Sequence, residues 1–216
     1  MRFVVPQLLV LSAPSGTGKS SIITRLLELF QGALVMSVSC TTRNPRPGEV
    51  NGVHYHFIPQ NEFLSRIQAD EFLEWAKVHG NYYGTSRLQV QQSLAQGQAV
   101  LLDIDPQGAL QLMDKALPQA EYIFLSPPSE AVLEARLRGR GTETEEQILL
   151  RLANAKKELA LKHRYSHHLL NDDLDQATLD FALLVLRLCG HKPPSSSLAN
   201  PNAELSNLAA WVTKQD

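Results

Sequence analysis

Ser12-Ala13-Pro14-Ser15-Gly16-Thr17-Gly18-Lys19-Ser20 follows the apolar run Leu8-Leu9-Val10-Leu11 and precedes a stretch whose apolar residues, from Ile22 to Phe30, recur at helical spacing. A strand, a glycine-rich turn and a helix in that order gather backbone N–H groups and the positive end of a helix dipole around one point, which suits a phosphate group. The residues match G-x-x-x-x-G-K-[ST] at every fixed position but the first, where Ala13 replaces glycine. In such a loop Lys19 reaches the β- and γ-phosphates and the Ser20 hydroxyl faces Mg²⁺. The alternative is an ordinary glycine-rich turn, which the strand-turn-helix context disfavours.

Outward from this loop, apolar runs of strand length alternate with helical patterns. This is the sequence form of an α/β protein with a largely parallel sheet flanked by helices. Strands are expected at 8–12, 99–104, 122–125 and 168–170, and helices at 19–30, 86–96, 107–115, 129–137, 143–162 and 175–188. Residues 36–84 break the alternation. Rich in Thr, Arg, Asn, Pro, Gly and aromatics, they read as short strands and turns around one helix at 61–68. Residues 136–151 carry Arg136, Arg138, Arg140 and Arg151 around a Gly-Arg-Gly break and read as a second functional insertion. After His191 a Pro/Ser linker leads to an expected short amphipathic helix at 204–214 with Leu205, Leu208 and Trp211 on one face.

Composition narrows the class. The chain has 216 residues, 44% hydrophobic and 19% charged, with 12 Gly and 12 Pro, which excludes disordered, collagenous and disulfide-rich proteins. A net charge of -2 gives no general electrostatic footprint for nucleic acid or an anionic membrane, so an anionic ligand must meet a local cluster. Cys40 and Cys189 make no disulfide framework, and reduced thiols in a cytoplasmic protein are expected. No run approaches the ~18 apolar residues of a membrane span. The first 13 residues imitate a leader peptide, but Pro6-Gln7 interrupts the apolar part and cleavage after Ala13 would cut the phosphate loop.

Three further patterns carry chemistry. In Leu101-Leu102-Asp103-Ile104-Asp105 an apolar strand ends in acidic residues; such a carboxylate can hold Mg²⁺ beside the loop, or it can simply cap the next helix. A run of arginines is ordinarily a solvated face, but Arg136, Arg138 and Arg140 at spacings of two spread around a helix rather than forming a stripe. Guanidinium groups near a transferring phosphoryl group would neutralise its charge. The third pattern is Ser37-Val38-Ser39-Cys40-Thr41-Thr42-Arg43-Asn44-Pro45-Arg46-Pro47-Gly48-Glu49, with Tyr55, Glu74 and Asn81-Tyr82-Tyr83-Gly84-Thr85 downstream. Here Arg43, Arg46, Tyr55 and Tyr83 suit a second phosphate. His163 and His167 are at i, i+4 spacing but lack the Glu that follows the first His in a zinc-protease motif, so packed or surface imidazoles are expected. Trp75 is expected to pack the inserted region.

With these motifs in this order, the chain resembles the guanylate kinases from about residue 7 to 188. The segments carrying the likeness are S-x-S-x-T-T-R-x-P-R-x-G-E, N-Y-Y-G, L-D-I-D-x-Q-G, R-L-x-G-R-G and the Leu-Asn-Asp-Asp element at 170–173. The resemblance implies a P-loop nucleoside-monophosphate kinase core with a GMP-binding insertion and a lid. It implies core segments at 1–36, 91–130 and 158–190, the GMP-binding insertion at 37–90, the lid at 131–157 and a linker and tail at 191–216. It implies transfer of the γ-phosphoryl group of ATP to GMP, with dGMP as a further acceptor, and Mg²⁺ held by Ser20 and Asp103. By the same likeness, residues 13–20 bind ATP, while Lys19, Arg43, Arg136, Arg140 and Arg151 act in catalysis. Ser39, Arg43, Arg46, Glu49, Tyr55, Glu74, Tyr83, Gly84, Thr85, Asp103 and Asp105 bind GMP. One carboxylate accepts both N1–H and the 2-amino group of guanine, which adenine does not offer. The expected partners are GMP and ATP, without nucleic acid or membrane; monomer and oligomer both stay open. Ala13, Pro106 and the tail after residue 188 depart from the family pattern. An interaction module that has lost nucleotide chemistry, a kinase for another nucleotide and a GTPase switch are the competing classes; the intact loop lysine, Glu74 and the lack of an N-K-x-D motif argue against each in turn.

Overall fold

Leu8–Ser12 forms β1, and its residues alternate between two apolar layers: Leu9 and Leu11 face one, Leu8 and Val10 the other. A strand buried on both faces belongs at the centre of a covered parallel sheet. The computed structural model describes residues 3–5, 7–78, 80–117, 119–139, 141, 144–192 and 200–214. After β1 come α1 (Lys19–Phe30), β2 (Leu34–Met36), β3 (Cys40–Thr41), β4 (His56–Phe57), α2 (Gln60–Gln68), β5 (Phe72–Val78), β6 (Asn81–Ser86), α3 (Arg87–Ala95), β7 (Ala99–Asp103), α4 (Pro106–Asp114), β8 (Ala120–Ser126), α5 (Glu130–Arg138), α6 (Glu145–Ala160), β9 (His167–Leu170), α7 (Leu174–Leu188) and α8 (Pro201–Thr213).

The main sheet has the order β2-β7-β1-β8-β9, with every pairing parallel. One face is covered by α1, α7 and α8 through Ile22, Leu26, Phe30, Phe181, Leu186 and Leu208; the other is covered by α3 and α4 through Val90, Ala109 and Leu112. Strand order reverses at β1, so the crevice beyond its carboxyl end, between the exits of β1 and β7, is where such a sheet takes a ligand. β2, only three residues long, has no counterpart in the sequence reading.

The second sheet, β4-β3-β6-β5, is mixed and small, and Phe63 of α2 stacks on Phe72 beneath it. Along β5 the register slips: Phe72 pairs with Ser86 but Glu74 with Thr85. This bulge lets three consecutive residues be buried in different places, with Phe72 in the small core, Leu73 in the main core and Glu74 in the cleft between them.

The described residues within 136–151 are mostly regular helix, with α5 running to Arg138 and α6 starting at Glu145 and continuing past 157. Thr144 and Gln147 close a capping box at the start of α6. The tail helix packs onto the core: Leu208 and Val212 are buried, and Trp211 meets His191 edge-on at 6.2 Å. Much of the Pro/Ser linker, 193–199, lies outside the described residues. No helix among the described residues is long and apolar enough to cross a membrane.

Candidate active site

The phosphate loop is shaped by two glycines. Gly16 and Gly18 both sit at φ +93°, where L side chains are strained. A Cβ on Gly16 would lie 2.9 Å from Leu137 of α5, and one on Gly18 would lie 2.4 Å from the Asn171 amide nitrogen. Gly18 is also the N-cap of α1 and supplies no side-chain partner for that helix's first N–H groups, which leaves them for an anion. Ala13, in place of the pattern's first glycine, is buried in the main core and is not among the positive-φ residues, so its methyl group is accommodated.

Side chains from distant segments fix the loop. Asn171 donates to the Thr17 carbonyl at 2.6 Å, and Arg136 donates to the same carbonyl at 3.3 Å and to the Asn171 carbonyl at 3.0 Å. Arg151 of α6 donates to the Ser15 hydroxyl at 2.5 Å. Lys19 forms an ion pair with Asp103 at the end of β7. The structure therefore brings Lys19, Arg136 and Arg151 to the loop, whereas Arg138 points away into ion pairs with Glu134 and Glu145. Arg140 lies outside the described residues.

Across the cleft, Arg43 is held by both Glu49 carboxylate oxygens, at 3.0 and 2.8 Å, and lies over the Tyr55 ring at 5.6 Å. The Arg43 hydrogen bonds, with the Arg46 backbone N–H at 2.7 Å, hold the Glu49 carboxyl down at about 2. Tyr83 meets the Tyr55 ring edge-on at 5.9 Å. Arg46 reaches this group through its backbone; its side chain is exposed. Gly84 lines the same cleft, and a Cβ there would lie 2.9 Å from Phe63.

Glu74 is 3% exposed and accepts a 2.5 Å hydrogen bond from the Thr85 hydroxyl. Burial pushes its carboxyl up to about 7, with Asp105 adding repulsion and Thr85 and Lys115 opposing the rise. Asp105 caps α4 by accepting from the Gly108 N–H at 2.9 Å, and Pro106 occupies the first turn of that helix, where a missing N–H is tolerated. A single cleft of about 440 Å³ runs from residues 13–16 and Lys19 past Ser39, Tyr55, Tyr83 and Asp103 to Glu74.

The sequence reading missed Glu158. It lines the same cleft two helical turns after Arg151, and burial lifts its carboxyl to about 7 while Lys19 draws it down and Asp105 raises it. The i+7 spacing from Arg151 was the available signal. Trp75 packs the inserted region as expected, its ring lying 6.1 Å from that of Tyr82 on β6 although the side chain is 38% exposed, and its backbone bonds to Gln111. The histidines take separate partners, His163 the Ala160 carbonyl, His167 the Glu121 carboxylate and His168 the Lys162 carbonyl.

The family model for guanylate kinase matches residues 5–185. This chain belongs to the guanylate kinase family. It is an enzyme of that family, and its likeness covers most of the length of its relatives. The guanylate kinase of Idiomarina loihiensis is 48% identical over 184 residues, covering 85% of this chain and 87% of the relative. That of Shewanella violacea is 49% identical over 178 residues, covering 82% and 86%. A crystal structure of guanylate kinase from Anaplasma phagocytophilum superposes with a TM-score of 0.68 at 33% identity, covering 86% of this chain and 87% of that one. Against the guanylate kinase match, α8 lies wholly beyond the shared region.

Proposed function

We propose that this guanylate kinase transfers the γ-phosphoryl group of ATP to GMP, giving ADP and GDP, in cytoplasmic purine nucleotide metabolism. The reading extends to dGMP, because the residues assigned to the acceptor grip its base and its phosphate. The observation that carries the proposal is the single cleft with the phosphate loop at one end and the buried Glu74–Thr85 pair at the other. In its ionised form Glu74 accepts N1–H and the 2-amino group of guanine together, with Ser39 and Thr85 beside it. A base without that donor pair leaves the buried carboxylate unmatched, which is the strong form of discrimination.

Arg43, Arg46, Tyr55 and Tyr83 hold the acceptor phosphate, with Glu49 orienting Arg43. The backbone of residues 13–20 cradles the donor phosphates, and Lys19, Arg136, Arg140 and Arg151 neutralise charge on the transferring group. A GMP phosphate oxygen attacks the γ-phosphorus in line as the bond to the ADP oxygen breaks, so no enzyme nucleophile is needed. Among the described residues no group of three or more His, Cys, Asp or Glu gathers to hold a metal. That fits Mg²⁺, which binds through one or two protein ligands and substrate phosphates. Ser20, exposed in the first turn of α1, and Asp103, at the end of β7, would hold it. When bound it supplies further neutralisation of the phosphate charge. The two buried free cysteines suit a reducing compartment.

The test is coupled ADP production with ATP and Mg²⁺, offering GMP, dGMP, AMP, CMP and UMP separately. Turnover confined to GMP and dGMP is expected. Comparable turnover with AMP would overturn the base assignment, and GMP binding without turnover by folded protein would favour an interaction module.

A further inference from the structure

The backbone on both sides of Glu74 is tied to one helix. Lys115 donates to the Leu73 carbonyl at 2.6 Å, while Gln111 donates to the Trp75 carbonyl at 2.7 Å and accepts from the Trp75 N–H at 3.3 Å. Leu73 is the residue at which β5 bulges, so these bonds hold the irregular part of the strand. Gly108 lies under the carboxylate itself: a Cβ there would stand 2.5 Å from Glu74 Oε2 and 3.2 Å from Cδ. Gly108 and Gln111 on α4 and Lys115, the residue that caps its C-terminal end in helical conformation, are spaced i, i+3 and i+7, which is one stripe. The capping bond from Gly108 N–H to Asp105 anchors the same turn at the cleft.

We propose that this stripe of α4 sets guanine specificity: Gly108 leaves the space in which the Glu74 carboxylate lies, and Gln111 and Lys115 are positioning residues that hold β5 against it. The proposal rests on Glu74 reading the base. It goes further by moving part of the discrimination from the small sheet to a helix of the main core. A carboxylate matched to two donors at once must be held to a fraction of an ångström, and the stripe restrains it from behind and from either side. The charged and polar groups acting on Glu74 are Asp105 and Lys115, which cap the two ends of α4, and Thr85 from β6. Lys115 therefore has two effects, a bond to the strand and a positive charge that favours the ionised carboxylate.

Inosine monophosphate is the discriminating probe, because it keeps guanine's N1–H and lacks its 2-amino group. Gly108→Ala should preserve the fold, since alanine is the better helix former and the atom it meets is the far end of a side chain. The variant should raise KM for GMP by about 10- to 100-fold and narrow the preference for GMP over inosine monophosphate by a similar factor, with KM for ATP within about twofold of the parent. Lys115→Met should move the acid limb of kcat/KM for GMP to higher pH, and Lys115→Arg should restore it. Glu74→Gln is measured alongside. If it leaves the GMP preference intact, the base reading falls and this proposal with it. If it abolishes the preference while Gly108→Ala and Lys115→Met both behave as the parent, the stripe alone is overturned.

Discussion

The two ends of the cleft are built on opposite plans. The phosphate end is mostly backbone: Gly16 and Gly18 at φ +93° shape the loop, and Asn171 and Arg136 fix its Thr17 carbonyl. The base end depends on one side chain, Glu74, whose charge state is set by burial and by groups on β6 and at the two ends of α4. A phosphate carries several equivalent oxygens and is well held by many N–H groups at once, so a local loop suffices. A base edge differs from another by the placement of one or two hydrogens, and reading it takes a single acceptor in a defined position and ionisation state. The small sheet holds the same contrast within itself. Its Glu49 is kept ionised at about 2 by Arg43 and Arg46, whereas Glu74 sits near 7. One carboxylate permanently orients an arginine, and the other changes charge within the working pH range.

Variants can set the two ends apart. Lys19→Met should have the largest effect, lowering kcat by about 10³-fold while the protein stays folded, because it removes charge stabilisation from the transferring group. Wild-type turnover in a folded variant would remove the loop from catalysis. Glu74→Gln should lower kcat/KM for GMP by about 100-fold and leave ATP affinity unchanged, which separates the base end from the phosphate end. Equal damage to both substrates in steady-state kinetics would merge them.

The pH dependence is a smaller effect of the same kind. Glu74 is raised in the folded protein from 4.5 to about 7, and its ionised form accepts from guanine, so kcat/KM for GMP should rise with pH and level off above 7. Between pH 7 and pH 5 it should fall by roughly tenfold per unit once well below the transition. The opposite sign applies to stability without GMP. The fold favours the protonated group, so this contribution is fully present below pH 4.5 and is lost as pH rises through 7. GMP added at the upper end of that window should raise the melting temperature most. The smallest catalytic effect belongs to the tail: Leu208→Ala should reduce stability by about 2–4 kcal/mol in chemical denaturation and leave kcat unchanged, because Leu208 is 2% exposed in the main core, far along the chain from either end of the cleft.

The same contrast explains what the sequence made legible. β1 and α1 were read at their observed bounds, since an apolar run, two glycines and an amphipathic helix are local signals. The tail helix was expected from Leu205, Leu208 and Trp211, and the structure supplies what it packs against. β2 escaped notice because three residues between a turn and Ser37 carry no period. The bulge at Leu73 was not legible either: Phe72, Leu73 and Glu74 in succession look like an ordinary strand, and only the pairing with β6 reveals the slip. Asp105 reads from the sequence as a metal or substrate ligand or a cap, and the structure shows the cap at a residue that also lines the cleft. Glu158 looked like one more charge on a helix, and its place in the cleft depends on how α6 crosses the loop. Residues that act through local backbone are visible in the text, while residues that act through burial wait for the fold.

The decisive measurement is a ¹³C NMR titration of the Glu74 carboxyl in the free enzyme and in its GMP complex. A midpoint near 7 in the free protein that drops by more than about one unit with GMP is expected, because guanine donates only to the ionised form. A midpoint near 4.5 that GMP leaves in place would overturn the assignment of the base end to this buried carboxylate.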